Sequence, residues 1–410
     1  MTGGKIMIYN LFKTLKFYCK FILVVVCKLF TSIIPKDKNL IMCSSWFGKK
    51  YLDSPRYMYE YLLSSSSFDV YWFTKNKELY MQLKREGKPV VYAYSITGII
   101  KQLRTKLFIS SVEFYDFNYF TFGRSILLDL NHGFPIKQSG FEIPTYNKRQ
   151  QAFDKMLRKG VSLYKTASSD FVKTILCRAE DVSSSQIIFC NKPRIDAFYD
   201  ASLREGNNKI VDRIKGDKKA IVYMPTHRMA GAVPINIEEI LDLDSLEKLC
   251  KEINAVFIIK KHYYHLKEKT DLSKYSHIFD ISHENIEIQT LLYQADVLIS
   301  DYSAAYIDFL VLDRPIIFYA YDYEDYIKNE RNLYIKFDDI DAGYKAYKYE
   351  QLHNALKQIS SRWTDNEHAE GRRHLRSYYF DTELPKGTTR EHIKTIIEEL
   401  ISEKYEPKWK

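Results

Sequence analysis

The stretch Ala295–Asp322, ADVLISDYSAAYIDFLVLDRPIIFYAYD, constrains this chain more than any other, because it reads as a complete βαβ unit. A short apolar run, Val297–Ile299, ends in the polar turn Ser300-Asp301-Tyr302-Ser303. A helical stretch follows, and a second apolar strand covers Pro315–Tyr319. Strands joined through a helix lie parallel in one sheet. The helix start exposes unpaired N–H groups and the positive end of the dipole, which suits a phosphate. Ser300 and Ser303 add hydroxyls there. The plainer alternative is that Ser300, Asp301 or Ser303 only caps the helix.

The same alternation runs through the rest of the chain. Strands are expected at Leu40–Cys43, Val70–Phe73, Val90–Tyr94, Leu107–Ser110, Ile126–Leu130 and Ile187–Cys190, with helices at Pro55–Leu63 and Ser168–Arg178. The charged stretch Arg204–Lys219, REGNNKIVDRIKGDKK, reads as a hinge. Beyond it, strands at Ala220–Met224, Val256–Lys260 and His277–Asp280 alternate with helices at Leu243–Ile253 and Ile286–Gln294, ahead of the βαβ unit. Helices at Tyr349–Ile359 and Arg390–Glu399 close the chain. The expectation is an α/β protein of two Rossmann-like parallel-sheet domains facing a cleft. The boundaries are an N-terminal segment 1–35, domains 36–203 and 204–385, and a closing C-terminal helix 386–410.

Length and composition agree. A chain of 410 residues is long for one core, and 46% hydrophobic with 28% charged residues marks a folded protein. Six cysteines without CxxC spacing look like buried apolar side chains in a reducing compartment, so a cytoplasmic location is expected. The net charge of +9 is uneven: residues 1–35 hold five lysines and no acid. Within Ile8–Ile34 the longest uncharged apolar run, Phe21–Cys27, is far short of the roughly 20 residues that span a bilayer. Lys13, Lys16, Lys20 and Lys28 fall in one arc of roughly 120°, opposite Leu11, Leu15, Tyr18, Ile22, Val25, Val26 and Leu29. That is the pattern of an amphipathic helix lying on an anionic membrane surface. Packing on the protein body, or a spanning helix with snorkelling lysines, are the alternatives.

The polar motifs cluster at strand ends, where ligands of open parallel sheets bind. Ile126–Leu130 runs into Asn131-His132-Gly133-Phe134-Pro135-Ile136-Lys137, and a neutral imidazole held there could take a proton from a hydroxyl. Ala220–Met224 runs into Pro225-Thr226-His227-Arg228, a hydroxyl and a planar fork suited to phosphate. Val256–Ile259 runs into Lys260-Lys261-His262-Tyr263-Tyr264-His265, where a cationic strand end facing phosphates fits better than a metal pair. Arg194 and Asp196, in Asn191–Asp196, read as a structural clamp on the interdomain loop. Asp322–Asp325 and Asp338–Asp341 read as solvated turns. No P-loop, GxGxxG, GxSxG or HExxH is present. The positive charge sits on the N-terminal segment with no aromatic-basic platform in the body, so nucleic acid is not an expected partner. The set points to metal-independent handling of a diphosphate donor.

HGFPIK at 132–137, NKPRID at 191–196, YMPTHR at 223–228, FIIKKH at 257–262 and ISDYSAAYIDFLVLDRPIIFY at 299–319 together resemble the CDP-glycerol glycerophosphotransferase family of teichoic-acid primases and polymerases, with its GT-B fold. The resemblance covers roughly residues 36–400. It implies His132 and His262 as catalytic residues, His132 as base and His262 with Arg228 on the pyrophosphate. It further implies Ser300 and Ser303 on phosphate and Asp301 and Asp308 at acidic positions; Thr226 and Lys137 are further candidates. The implied reaction is attack of an acceptor hydroxyl on the β-phosphorus of a CDP-polyol, with CMP leaving. Domain 36–203 would face the acceptor and 204–385 would bind the donor. The implied partners are CDP-glycerol or CDP-ribitol and a lipid-linked acceptor at the cytoplasmic membrane face. No cofactor or metal is expected, with Mg2+ dependence and oligomeric state left open. Departures border the pockets: Asn131 for Trp, Phe134 for Thr, His227 for an aromatic residue, Ala304 for Ser, and Lys261 and Tyr263 beside His262. Two rival readings remain, a nucleotide-sugar glycosyltransferase of GT-B fold and an inactive membrane-bound scaffold.

Overall fold

The computed structural model describes residues 3–143, 146–204, 209–266, 270–284 and 286–407. Two wholly parallel sheets form its frame. The first has seven strands: β1 (Asp37–Cys43), β2 (Asp69–Thr74), β3 (Val90–Tyr92), β4 (Thr105–Ser110), β5 (Ile126–Asp129), β6 (Ser162–Ala167) and β7 (Ile187–Phe189). Their order is β3-β2-β1-β4-β5-β6-β7. The second has six: β8 (Lys219–Tyr223), β9 (Ala255–Ile259), β10 (Ile278–Asp280), β11 (Val297–Ser300), β12 (Ile316–Tyr319) and β13 (Tyr344–Ala346), in the order β10-β9-β8-β11-β12-β13. Each order reverses direction once, between β1 and β4 and between β8 and β11. Those two switch points open a crevice beyond the strand ends.

Two strands escaped the sequence reading for different reasons. β13 is only three residues long. β6, SLYKTA, carries a lysine in its middle, and a buried lysine is not expected in a strand. Its charge is balanced by residues far away in sequence. Lys165 Nζ lies 2.7 Å from both Asp129 and Glu113 and also pairs with Glu180, while Arg158 holds Glu113 from the other side. Three carboxylates that could gather round a cation are thus centred on an ammonium group. These carboxylates hold the Lys165 ammonium in its charged form despite burial. Helices at Lys77–Arg85, Ile96–Arg104, Lys148–Arg158 and Ala369–Tyr379 were likewise not anticipated. The stretch read as a hinge contains the helix Lys209–Lys215 and runs directly into β8, with 205–208 outside the described residues.

The last described helix returns to the first lobe. Tyr379 and Tyr378 carbonyls accept from Ser168 and Ser169, and the helix Thr389–Ile401 sends Ile396, Ile397 and Leu400 into the core made by Ile41, Met58 and Leu107. Asp196, fully buried, accepts from the Thr389 and Arg390 backbone and pairs with the Arg390 side chain. Arg194 and Asp196 therefore separate in role: Asp196 anchors the returning helix, and Arg194 faces the cleft.

The N-terminal helix Gly3–Ile33 packs with Phe17, Phe21 and Val24 against the first lobe. Lys28 differs from the expectation of a lysine aimed outward. It is buried, and its Nζ donates to the carbonyls of Met156 and Leu157 at the end of the helix Lys148–Arg158. A helix C-terminus presents unpaired carbonyls and negative potential, which a cation satisfies. The other side of the helix exposes Leu11, Leu15, Ile22, Leu29, Phe30 and Ile33. Among the described residues no helix is long and apolar enough to cross a membrane.

Replacing Lys165 by Met is expected to cost about 3–5 kcal/mol, since it leaves buried carboxylates without their counter-charge. Unpaired buried carboxylates prefer the protonated form, so the loss measured by urea unfolding should shrink as pH falls from 8 to 5.

Candidate active site

The polar turn after β11 is built around Asp301. Its carboxylate is fully buried and accepts from the Thr226 N–H at 2.9 Å, the Thr226 hydroxyl at 2.5 Å and the Tyr302 N–H at 2.6 Å. Arg228 completes the set, with Nη2 2.9 Å from Asp301. The ends of β8 and β11 are thereby locked together at the switch point of the second sheet. Arg228 is more committed than a free phosphate fork: Nε and Nη2 also pair with Asp322, and Nη1 donates to the Thr226 carbonyl. Its guanidinium lies 5.3 and 5.1 Å from the rings of Tyr302 and Tyr326, which stack on each other at 3.6 Å. Asp322, read from sequence as part of a solvated turn, is thus a partner of the site. Nothing local marks it, because its contact with Arg228 spans 94 residues.

Ser300 is fully buried, and its hydroxyl has no hydrogen-bond partner among the described residues. Ser303 sits at the cleft side of the turn, and its hydroxyl accepts from the Ala305 N–H at 3.3 Å. The helix it opens, Ala305–Phe309, has five residues and passes into a 3-10 turn, so the exposed N–H groups matter more there than a macrodipole.

The first lobe contributes the loop after β5. Asn131 takes a left-handed conformation, φ 54°, which Asn tolerates better than most residues, and this turns His132 to the cleft. His132 Nδ1 lies 3.4 Å from the Ser111 carbonyl, and its ring meets Trp46 edge-on at 5.6 Å. Donation from Nδ1–H to that carbonyl leaves Nε2 as the basic nitrogen. Desolvation lowers the His132 pKa, opposed by Asp53 and Asp129, so the ring is neutral at pH 7. Gly133 follows, where a Cβ would stand 3.7 Å from Ala304 beside Ser303. The loop then crosses between lobes: Tyr334 N–H donates to Ile136, Gln138 N–H donates to Asn332, and Lys137 bridges Leu333.

That crossing carries Lys137 into the second lobe, 5.2 Å from the Tyr326 ring. His227 and His262 lie ring to ring at 4.9 Å, and His262 Nδ1 accepts from the Tyr264 N–H at 3.4 Å. All three basic groups are pushed toward neutrality. Burial lowers Lys137 to about 8, His227 to about 4 and His262 to about 3, with mutual repulsion adding to the effect in the histidines. Desolvated bases crowded beside one another are the complement of an anion. Asp308 lies apart from this group and pairs with Arg194. Trp46, Asp53 and Asp322 are the neighbours that sequence reasoning did not place in the site, whereas His227 was expected at its border. Trp46, Phe47 and Asp53 carry positive φ in the loop after β1, a concentration of backbone strain visible only in three dimensions.

Two Rossmann-type parallel-sheet lobes that meet at their switch points form the GT-B architecture. Residues 26–398 match the family model described as CDP-Glycerol:Poly(glycerophosphate) glycerophosphotransferase, and the chain belongs to that family. It is 28% identical to a teichoic acid glycerol-phosphate transferase of Staphylococcus aureus, over 82% of this chain and 87% of that one. It is 26% identical to a teichoic acid poly(glycerol phosphate) polymerase of Bacillus spizizenii, over 90% and 93%. Among solved structures, the wall teichoic acid polymerase TagF, as a His-to-Asn variant soaked with CDPG, shares the fold with a TM-score of 0.75. That match has 21% identity and covers 97% of this chain and 98% of that one.

An anion bound beside Lys137 favours its charged form, so binding and protonation are linked. The affinity for CDP-glycerol, measured by calorimetry, is expected to weaken above pH 8 by up to about tenfold per pH unit for one linked proton. Lys137→Met should bind more weakly and lose that slope.

Proposed function

We propose that this protein transfers a polyol phosphate, with glycerol phosphate the first choice, from a CDP-polyol to a hydroxyl of a lipid-linked acceptor in teichoic acid or capsular polymer synthesis. The observation that carries this reading is the loop 132–137. It presents His132 at the first lobe and delivers Lys137 to the basic group of the second, with Gly133 against the Ser303 turn. His132 Nε2 takes the proton of the acceptor hydroxyl as its oxygen bonds to the β-phosphorus. The bond from that phosphorus to the bridging oxygen breaks, and CMP leaves with the electron pair. Lys137, His262 and the N–H groups of Ser303 and Ala304 face the charge that builds on the phosphates. Arg228 and Asp301 hold Thr226 and the turn in place. The reaction needs no resident cofactor on this reading, since the basic side chains supply positive charge.

Incubation with CDP-glycerol, CDP-ribitol and UDP-sugars, with EDTA present, is expected to release CMP from a CDP-polyol. Release of a nucleoside diphosphate from a UDP-sugar alone would refute the reading. His132→Ala is expected to lower kcat by about 10²–10⁴-fold, the usual weight of a general base, and undiminished activity would remove His132 from the chemistry.

The exposed apolar side of the helix Gly3–Ile33 supports a peripheral position on the cytoplasmic membrane face, where a lipid-linked acceptor is reached. Lys13 and Lys16, both exposed, flank that side and suit anionic headgroups. The triple variant Leu15→Glu/Ile22→Glu/Leu29→Glu alters only exposed positions. It is expected to stay folded and to lose flotation with anionic liposomes; unchanged flotation rules the helix out as the anchor.

A further inference from the structure

Arg194 touches both the backbone of the catalytic histidine and the second lobe. It sits in the 3-10 turn Pro193–Phe198 of the first lobe and is buried. Its Nη1 donates to Asp53 Oδ1 at 2.8 Å and to the carbonyl of His132 itself at 3.1 Å. Its Nη2 donates to Asp308 Oδ1 at 3.1 Å, and Nε lies 3.1 Å from Asp308 Oδ2. Asp308 belongs to the second lobe, in the helix Ala305–Phe309 that follows the Ser303 turn, and its Oδ2 also accepts from Gln289 Nε2 at 3.0 Å. Close by, Arg56 of the first lobe meets Glu287 of the second at 3.2 Å.

We propose that Arg194 is a positioning residue through which closure of the two lobes sets the placement of His132. This rests on the transferase reading above. With the lobes together, the guanidinium is fixed on both edges, by Asp53 and the His132 carbonyl on one and by Asp308 on the other. When the lobes part, the Asp308 edge is lost and the His132 loop keeps only the first-lobe half of its brace. The donor phosphates lie at the start of the segment that carries Asp308, so donor-bound second lobe and catalytic base are brought into register by one rigid planar group. Lysine cannot replace it, because an ammonium on a flexible stem does not hold three partners in a plane.

The test compares wild type, Asp308→Asn and Arg194→Lys in steady-state CMP release from CDP-glycerol. Asp308→Asn keeps the side chain's size and removes its charge. Misplacing a reacting group by about 1 Å costs on the order of 10²-fold, so kcat should fall by about that factor. KM and the calorimetric Kd for CDP-glycerol should stay within about threefold, since Asp308 makes no donor contact on this reading. Arg194→Lys should show the same split. Unchanged kcat, or a loss confined to Kd, overturns the proposal. An activity-independent readout separates it from the transferase reading. The His132 ring resonance, assigned by its disappearance in His132→Gln, should shift in Asp308→Asn even if no CDP-polyol proves to be the substrate. An unmoved resonance also overturns the proposal. Should Asp308→Asn fail to fold, Gln289→Ala, which removes only the outer hydrogen bond, is expected to lower kcat by about threefold to tenfold with KM held. Full activity there counts against the clamp.

Discussion

Much of this structure depends on the buried carboxylate of Asp301. Alone at the end of a strand it would be costly, since an unpaired charge in the interior loses its hydration. It is stable because Thr226, Tyr302 and Arg228 donate to it from three directions. The same bonds fix the ends of β8 and β11 where the second sheet reverses direction. The crevice there is a product of chain topology, but its walls are rigid because one carboxylate holds both sides.

Positive charge is handled differently in two parts of the site. Arg228 is neutralised internally by Asp301 and Asp322, which makes it a brace for the turn. Lys137, His227 and His262 are crowded together, and burial lowers each of them. An anion placed beside them would favour their charged forms, since opposite charge opposes the effect of desolvation. Residues that looked alike in sequence, basic side chains following a strand, differ in that Arg228 is ion-paired with two carboxylates while burial dominates at Lys137, His227 and His262.

Much of this was legible in advance. Short apolar runs alternating with helical periodicity gave two parallel sheets, because buried parallel strands are apolar along their length and cannot hide. Histidine, arginine and serine stood at strand ends, and the structure sets Gly133 beside Ala304, Lys137 beside Tyr326 and His262 beside His227. β6 was illegible because Lys165 is made tolerable by Glu113, Asp129 and Glu180, which no local window contains. Asp322 looked like a surface turn until Arg228 was seen to reach it. Lys28 looked like a membrane-facing cation until the end of a distant helix was found beneath it.

The sequence by itself determined all but two of the strands, the strand-end positions of the candidate site residues and, through five ordered motifs, the family. Those properties are written in periodicity and spacing, which are local. Tertiary structure alone decided which charges pair, that Arg194 spans both lobes while Asp196 holds the returning C-terminal helix, and which side of the N-terminal helix is left bare. The reason is physical: the sign and strength of an electrostatic contact depend on distance and burial, and partners more than a hundred residues apart meet only after the chain has folded.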